Sequence, residues 1–86
     1  MTEDQIDLYY KALAVCAERY SEMALRAPDL LPFLDEFKKA IEDRFPLLKL
    51  NRWLGYIQGV LIERNITSVD IERDFTRPYF RPIDFA

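Results

Sequence analysis

Apolar residues recur along the first part of the chain at the alternating three- and four-residue spacing of an amphipathic helix. The stripe consists of Ile6, Tyr9, Leu13, Cys16, Tyr20 and Met23. This spacing predicts a helix over about residues 3–26. Thr2 and Gln5 have the separation of a capping box, which marks the helix start. Pro28 ends the helix, because proline disfavours helical conformation in the residue before it.

Two further stripes predict a second helix over about residues 29–45 and a third over about 47–64. Asp29 has the residue type and position of an N-cap for the second helix. Pro46 ends the second helix and can occupy the first position of the third. Asn65 is expected to stop the third helix. The stripes are Leu30, Phe33, Leu34, Phe37, Ile41 and Phe45, then Leu47, Leu50, Trp53, Leu54, Ile57, Val60 and Leu61.

The last quarter of the chain has a weaker pattern. Thr67 or Ser68 can cap a short fourth helix over about residues 69–75. Residues 76–86 contain two prolines and lack a helical period, which predicts an extended or turned Arg/Pro/aromatic tail. The chain is therefore predicted to be all-α, with residues 1–86 forming one small bundle of three main helices, a short fourth helix and this tail.

Composition narrows the function classes. Half of the 86 residues are hydrophobic and 14% are aromatic, enough for a core and an additional interface. A net charge of −3 disfavours generic nucleic-acid binding. The single cysteine, Cys16, and the absence of histidine exclude an intramolecular disulfide, Cys/His zinc sites and histidine-dependent triads. We therefore expect a non-enzymatic protein without metal or cofactor, with Cys16 as a small buried hydrophobe.

The position of the protein in the cell is also constrained. The acidic N-terminus lacks the basic start and apolar run of a signal peptide. The longest apolar runs are only a few residues, too short to span a membrane. These features predict a cytoplasmic protein without a membrane partner.

Both glycines of the chain lie four residues apart in the third predicted helix. Gly55 and Gly59 share a face that is rotated away from the apolar stripe and bordered by Tyr56 and Gln58. Glycine in a helix interior costs about 1 kcal/mol relative to alanine, so the pair suggests close approach of another segment. Packing by this chain's own first helix or tail is the favoured interpretation. A homodimer contact or a partner helix is the alternative.

Two groups of cations could bind anions or partners. Lys49 and Arg52, near the start of the third helix beside Asn51, could form an anion site, although ion pairing with the preceding acidic helix end is favoured. Arginines alternate with aromatic residues near the C-terminus, a mixture found in protein hot spots and in single-strand binders. Nearby acidic residues favour a protein contact or simple packing. The C-terminal group is Arg73, Arg77, Tyr79, Phe80 and Arg81, with Phe75.

The run NRWLGYIQGVL at residues 51–61 resembles a segment of small proteins encoded by tailed bacteriophages. The resemblance covers roughly the last 35 residues, through an NRWLGY/F-x-QGVL core followed by a Thr/Ser-capped helix. This chain departs from the pattern by its Arg/Pro-rich end. The resemblance implies no catalytic residue. It implies a location in the host cytoplasm and a binding role, such as inhibition of a host or anti-phage defence protein.

The sequence therefore predicts a protein-interaction module whose partner is a host or phage protein. A nucleic-acid-associated accessory protein using the Arg/aromatic residues is the alternative, and a small carboxylate-based enzyme is a third and weaker one. The tyrosine-rich heptad stripe of the first helix could also form a homodimer seam. The predicted protein-binding residues are Asn51, Arg52, Gly55, Tyr56, Gly59, Arg73, Arg77, Tyr79, Phe80 and Arg81.

Overall fold

The computed structural model describes residues 1–84, and this part of the chain contains α-helices and no β-strand. The all-α prediction is confirmed, and the first three helices begin and end within three residues of their predicted limits. Two short 3-10 turns connect the first helix to the second. The helices are α1, Glu3–Met23; α2, Leu31–Glu42; α3, Leu47–Glu63; and α4, Val69–Asp84; the turns are Ala24–Arg26 and Pro28–Leu30.

The N-terminal caps were predicted in part. Thr2 and Gln5 form the expected capping box, with each backbone N–H donating to the other side chain. Ser68 caps α4, since its hydroxyl accepts from the Ile71 amide at 3.2 Å. The prediction for Asp29 is wrong: it lies in the second 3-10 turn, and α2 begins without a side-chain cap. Asp29 instead accepts two hydrogen bonds from the Arg64 guanidinium, at 2.6 and 2.7 Å.

Both α2 and α3 end in a Schellman motif. The residue after each C-cap is left-handed, Arg44 with φ 55° and Asn65 with φ 58°. In α2 the Phe45 amide donates to the Ala40 carbonyl, and α3 repeats this pattern. Asn65 therefore stops α3 as predicted. Arg44 is held in its unfavourable conformation by Asp7, 2.7 Å from Nη2, and by stacking on the Tyr10 ring.

The core is built around α1, which packs against each of the other three helices, while α2 also packs against α3. The predicted stripes supply its centre. Trp53 stacks between α2 and α3 on Phe33 and Phe37, with ring centroids 5.2 and 5.6 Å away. Its Nε1 is buried without an acceptor among residues 1–84, so this cluster stabilises the fold through ring packing. The largest fully buried side chains are Leu13, Cys16, Tyr20, Leu34, Phe37, Leu50, Ile57 and Leu61.

The fourth helix is more than twice as long as predicted. The tail prediction for residues 76–86 is wrong over the described part, because α4 continues to Asp84 through Pro78 and Pro82. Each internal proline removes a backbone hydrogen bond, at a cost of roughly 3 kcal/mol. Tertiary packing offsets this cost, since Ile83 is buried and the Phe80 ring meets Tyr9 at 5.2 Å. Residues 85 and 86 lie outside the described residues.

Candidate functional site

A groove runs between α3 and α4, and three of the predicted binding residues line it, namely Asn51, Arg73 and Phe80. Both helices pack on α1 but scarcely on each other. The space between them forms two adjoining cavities of about 200 and 300 Å³, which share Gln58 and Thr76. We call this feature the α3/α4 groove. Its lining is Tyr9 from α1; Asn51, Leu54, Gln58 and Ile62 from α3; and Val69, Glu72, Arg73, Thr76 and Phe80 from α4.

A buried carboxylate fixes α4 at the base of this groove. The Glu72 side chain is 4% exposed and receives a bidentate pair of hydrogen bonds from Arg19, at 3.2 and 3.1 Å. The Tyr20 hydroxyl donates to Glu72 Oε1 at 2.6 Å, and the Thr67 hydroxyl donates to Oε2. A buried charge is tolerated only when it is paired and hydrogen-bonded in this way. The network therefore ties α4 to α1 and to the α3–α4 connection.

The network shifts the acidities of its members in opposite directions. Burial by itself raises the pKa of Glu72, but the hydrogen bonds from Arg19, Thr67 and Tyr20 together hold it below its usual value. Burial and the bond to Glu72 raise the pKa of Tyr20 far above its ordinary value. Burial also raises the pKa of the Cys16 thiol to about 11. A thiol with this pKa stays protonated at neutral pH, as expected for a small buried hydrophobe.

Two amide side chains of α3 present fixed acceptors to the groove. Asn51 Nδ2 donates to the Tyr9 hydroxyl at 2.6 Å, and Gln58 Nε2 donates to the Tyr20 hydroxyl at 2.9 Å. Each amide is therefore oriented by its NH₂ group. The carbonyl oxygens of Asn51 and Gln58 have no donor among the described residues, so they are available to a molecule in the groove.

The two rims of the groove differ in character. On α3 the row Asn51–Gly55–Gly59 follows four-residue spacing, so the glycines lie along the outer edge of the α3 wall. A Cβ added at either glycine would meet nothing within 4 Å, and both residues are exposed. On α4 the corresponding rim carries Arg73, 4.0 Å from Asp70, followed by Arg77 one turn later. One rim is therefore bare and the other is cationic.

The favoured interpretation of the glycines, close packing within one chain, is therefore wrong for residues 1–84. Neither α1 nor the C-terminal segment approaches Gly55 or Gly59 within the described part of the chain. Their surroundings on α3 are exposed as well, with Leu48 68% exposed and Tyr56 58% exposed, the latter against the Phe33 ring. The contact with a second molecule stays a prediction.

The predicted pairing of Lys49 and Arg52 with the end of α2 is also not observed. Among the described residues neither forms an ion pair with Glu42 or Asp43. Lys49 instead places its ammonium 5.1 Å from the Phe45 ring centroid. Arg52 is exposed on the outer face of α3.

The Arg/aromatic residues of α4 separate into packed and exposed groups. Phe75 is half-buried beneath the Arg19 guanidinium, 4.1 Å from its ring, and Phe80 packs on Tyr9. Tyr79 is 40% exposed, beside Phe75. Base stacking needs free aromatic faces, and two of these three rings are already covered. Arg77 and Arg81 line a shallow depression of about 590 Å³ with Pro78 and Pro82.

Within residues 1–84 there is no group of three or more His, Cys, Asp or Glu residues arranged to hold a metal ion. Glu18, on the exposed side of α1, forms an ion pair with Lys38 at 3.1 Å. No helix of this described region combines the length and apolarity needed to cross a membrane.

Comparisons with known proteins do not place the chain in a family: no family model matches it, and no curated protein or solved structure matches it significantly. The resemblance to phage proteins therefore remains an expectation from the sequence.

The sequence reasoning missed Glu72 and Thr76 as groove residues, and it placed Gln58 only at the border of the glycine face. A signal for Glu72 was present, because it lies in helical register with Phe75 and Ile83 on the apolar side of α4. A carboxylate on such a side needs partners, and its presence there indicates a buried network. The register with Ile83 becomes visible only when α4 is continued through its prolines.

Proposed function

We propose that this chain is a non-enzymatic protein-interaction module that binds a host or phage protein in the cytoplasm, as an inhibitor encoded by a bacteriophage. The observation that carries the proposal is the unpacked face of α3 next to the α3/α4 groove. Large apolar side chains such as Leu48 and Tyr56 are exposed there around two glycines. Large apolar side chains left exposed on one helix face are typical of protein-binding surfaces.

The chemistry of the chain supports binding over catalysis. Its buried carboxylate, Glu72, is fully engaged by three donors at the base of the groove. A general acid or base needs a free proton-transfer position towards a substrate. The Arg19–Glu72 pair instead holds two helices together, which suits a rigid binding surface.

Affinity capture from host lysate tests this proposal. The immobilised protein is compared with the double variant Gly55→Leu/Gly59→Leu, which fills the bare α3 rim with side chains. We expect the unmodified protein to retain a specific partner and the glycine variant to lose it. Asp35→Leu/Lys39→Leu, on the exposed face of α2, is the matched control for added apolar surface and should retain the partner.

Two results contradict the proposal. Retention of no partner in any host lysate removes the interaction function. Equal retention by the glycine variant places the interface elsewhere on the molecule.

A further inference from the structure

We propose that the α3/α4 groove binds an extended, acidic peptide segment in polyproline II conformation, held by its backbone to Asn51 and Gln58 and by its carboxylates to Arg73 and Arg77. This inference rests on the proposed interaction function and specifies its partner chemistry. Four features of the groove carry it: its size, the spacing of its amides, the charge of one rim and the bareness of the other.

The size of the groove favours an extended chain over a helix. The two adjoining cavities together offer about 200 and 300 Å³. A helix is 10–12 Å across, so a 10 Å length of one fills roughly 1,000 Å³ and could insert only one of its faces here. An extended chain is much thinner and can lie between α3 and α4 on the floor formed by Tyr9.

The amide spacing matches one extended conformation. Asn51 and Gln58 are seven residues apart on α3, which places them roughly 10.5 Å apart along the helix axis. In polyproline II, backbone N–H groups on one side repeat every three residues, at about 9.3 Å, and they are unpaired within the segment. On one edge of a β-strand they repeat at about 6.8 Å. The carbonyl oxygens of Asn51 and Gln58 therefore suit successive turns of polyproline II.

The charge of the α4 rim selects acidic side chains. Arg73 lines the groove, and Arg77, one helical turn further on, lines the neighbouring depression with Pro78. Glu72, the carboxylate between the two walls, is already neutralised by Arg19, and Asp70 lies 4.0 Å from Arg73, so the net positive charge of this rim comes from Arg77. Arg77 has no ion-pair partner within 4 Å among the described residues. Guanidinium groups bind carboxylates through paired hydrogen bonds, which makes an acidic segment the complementary ligand.

The bare α3 rim provides room for entry. Side chains at positions 55 and 59 would stand along the edge of the groove, above Asn51 and Gln58. Both positions are glycine, and open space surrounds each. The segment can therefore approach the amides from the α3 side without displacing a side chain. Access for the segment accounts for the two glycines, since no other helix packs closely against them.

Selection from a random library of peptides about nine residues long, roughly 28 Å as polyproline II, tests the proposal. The purified protein is the bait, and selected peptides are measured by fluorescence anisotropy. We expect the selected peptides to be enriched in acidic residues. We expect Arg73→Glu/Arg77→Glu to weaken their binding at least roughly tenfold, since charge-assisted contacts are lost. Arg26→Glu/Lys39→Glu makes the same change of charge elsewhere and should leave binding unchanged.

Nuclear magnetic resonance locates the bound peptide independently. The side-chain amide signals of Asn51 and Gln58 should shift on titration, together with backbone signals along the facing sides of α3 and α4. Thermal unfolding of the arginine variant, whose two substitutions are at exposed positions, should match that of the unmodified protein. A loss of peptide binding by this variant then results from the changed groove and not from unfolding.

The proposal is overturned by failure to enrich peptides, by enrichment of helical peptides, or by peptides that bind the arginine variant equally well. It is also overturned if the protein self-associates and Arg73→Glu/Arg77→Glu abolishes this, because a second copy then fills the groove. These results differ from failure of the interaction function. If the arginine variant captures a partner from lysate equally well, the interaction function stands and only the groove proposal fails.

Discussion

Glu72 is the residue on which the attachment of α4 depends. Its carboxylate accepts from Arg19, Tyr20 and Thr67, and so joins α1, the α3–α4 connection and α4. Gln58 extends the network to α3 through the Tyr20 hydroxyl. Glu72 thus links segments that few other polar contacts join. It also forms the base of the groove.

Replacing Glu72 with alanine should therefore destabilise the fold. The change leaves Tyr20 and Thr67 without acceptors and Arg19 without its partner, which costs roughly 2–4 kcal/mol. Urea unfolding followed by circular dichroism measures the change. Asp74→Ala, at an exposed position on the same helix, is the control and should change stability by less than about 0.5 kcal/mol. Equal effects of the two substitutions would contradict the structural role of Glu72.

At the scale of helices, α3 carries a stability cost at its two glycines. Both are helical, exposed and surrounded by open space, so a methyl group can be added without a clash. The two glycines therefore favour an open groove over stability. Alanine at these positions would make the helix more stable, but its methyl groups would raise the rim of the groove. If another helix packed closely on this face, alanine would instead clash with it and lower the stability of the fold.

Gly55→Ala/Gly59→Ala should raise the free energy of unfolding by roughly 1–2 kcal/mol, because alanine loses less backbone entropy in a helix. Chemical denaturation of the double variant checks this. Ala14→Gly, on the exposed side of α1, provides the reverse substitution and should lower stability by about 0.5–1 kcal/mol. A destabilised double variant would show that another segment does pack on this face.

Helices α1 to α3 could be predicted from the sequence because their apolar stripes coincide with local signals, such as the Thr2–Gln5 capping box and Asn65. The length of α4 could not, because its local and tertiary preferences conflict. Pro78 and Pro82 favour termination, and only contacts of Phe80 and Ile83 with distant residues outweigh them. The groove escaped prediction for the same reason, since it depends on how α3 and α4 are placed on α1.

Across the whole molecule, charge is distributed unequally between the two halves of the chain, and long-range ion pairs join these halves. Residues 1–46 carry six Lys/Arg and ten Asp/Glu, and residues 47–86 carry six and five. Arg64 reaches Asp29, and the network brings Arg19 to Glu72, so both halves are joined by pairs that need ionised carboxylates. The stability of the fold is therefore linked to pH.

The free energy of unfolding should stay nearly constant between neutral pH and about pH 5, and then fall as the pH drops below about 4.3, the usual glutamate value. The pKa of Glu72 is lower in the folded protein than in the unfolded chain, so the unfolded chain binds more protons in acid. Denaturant titrations at several pH values measure this. In Glu72→Gln the acid-dependent loss should be smaller, and an identical pH profile in both proteins would contradict the assignment.

The attachment of α3 and α4 to α1, rather than to each other, has a consequence for the thermodynamics of ligand binding. A molecule that enters between the two helices disrupts no interface, because neither wall relies on the other for its position. The amides and the Glu72 network are already ordered before binding, so little side-chain entropy is lost. The groove is thus preorganised, and the ordering cost falls almost entirely on the incoming chain.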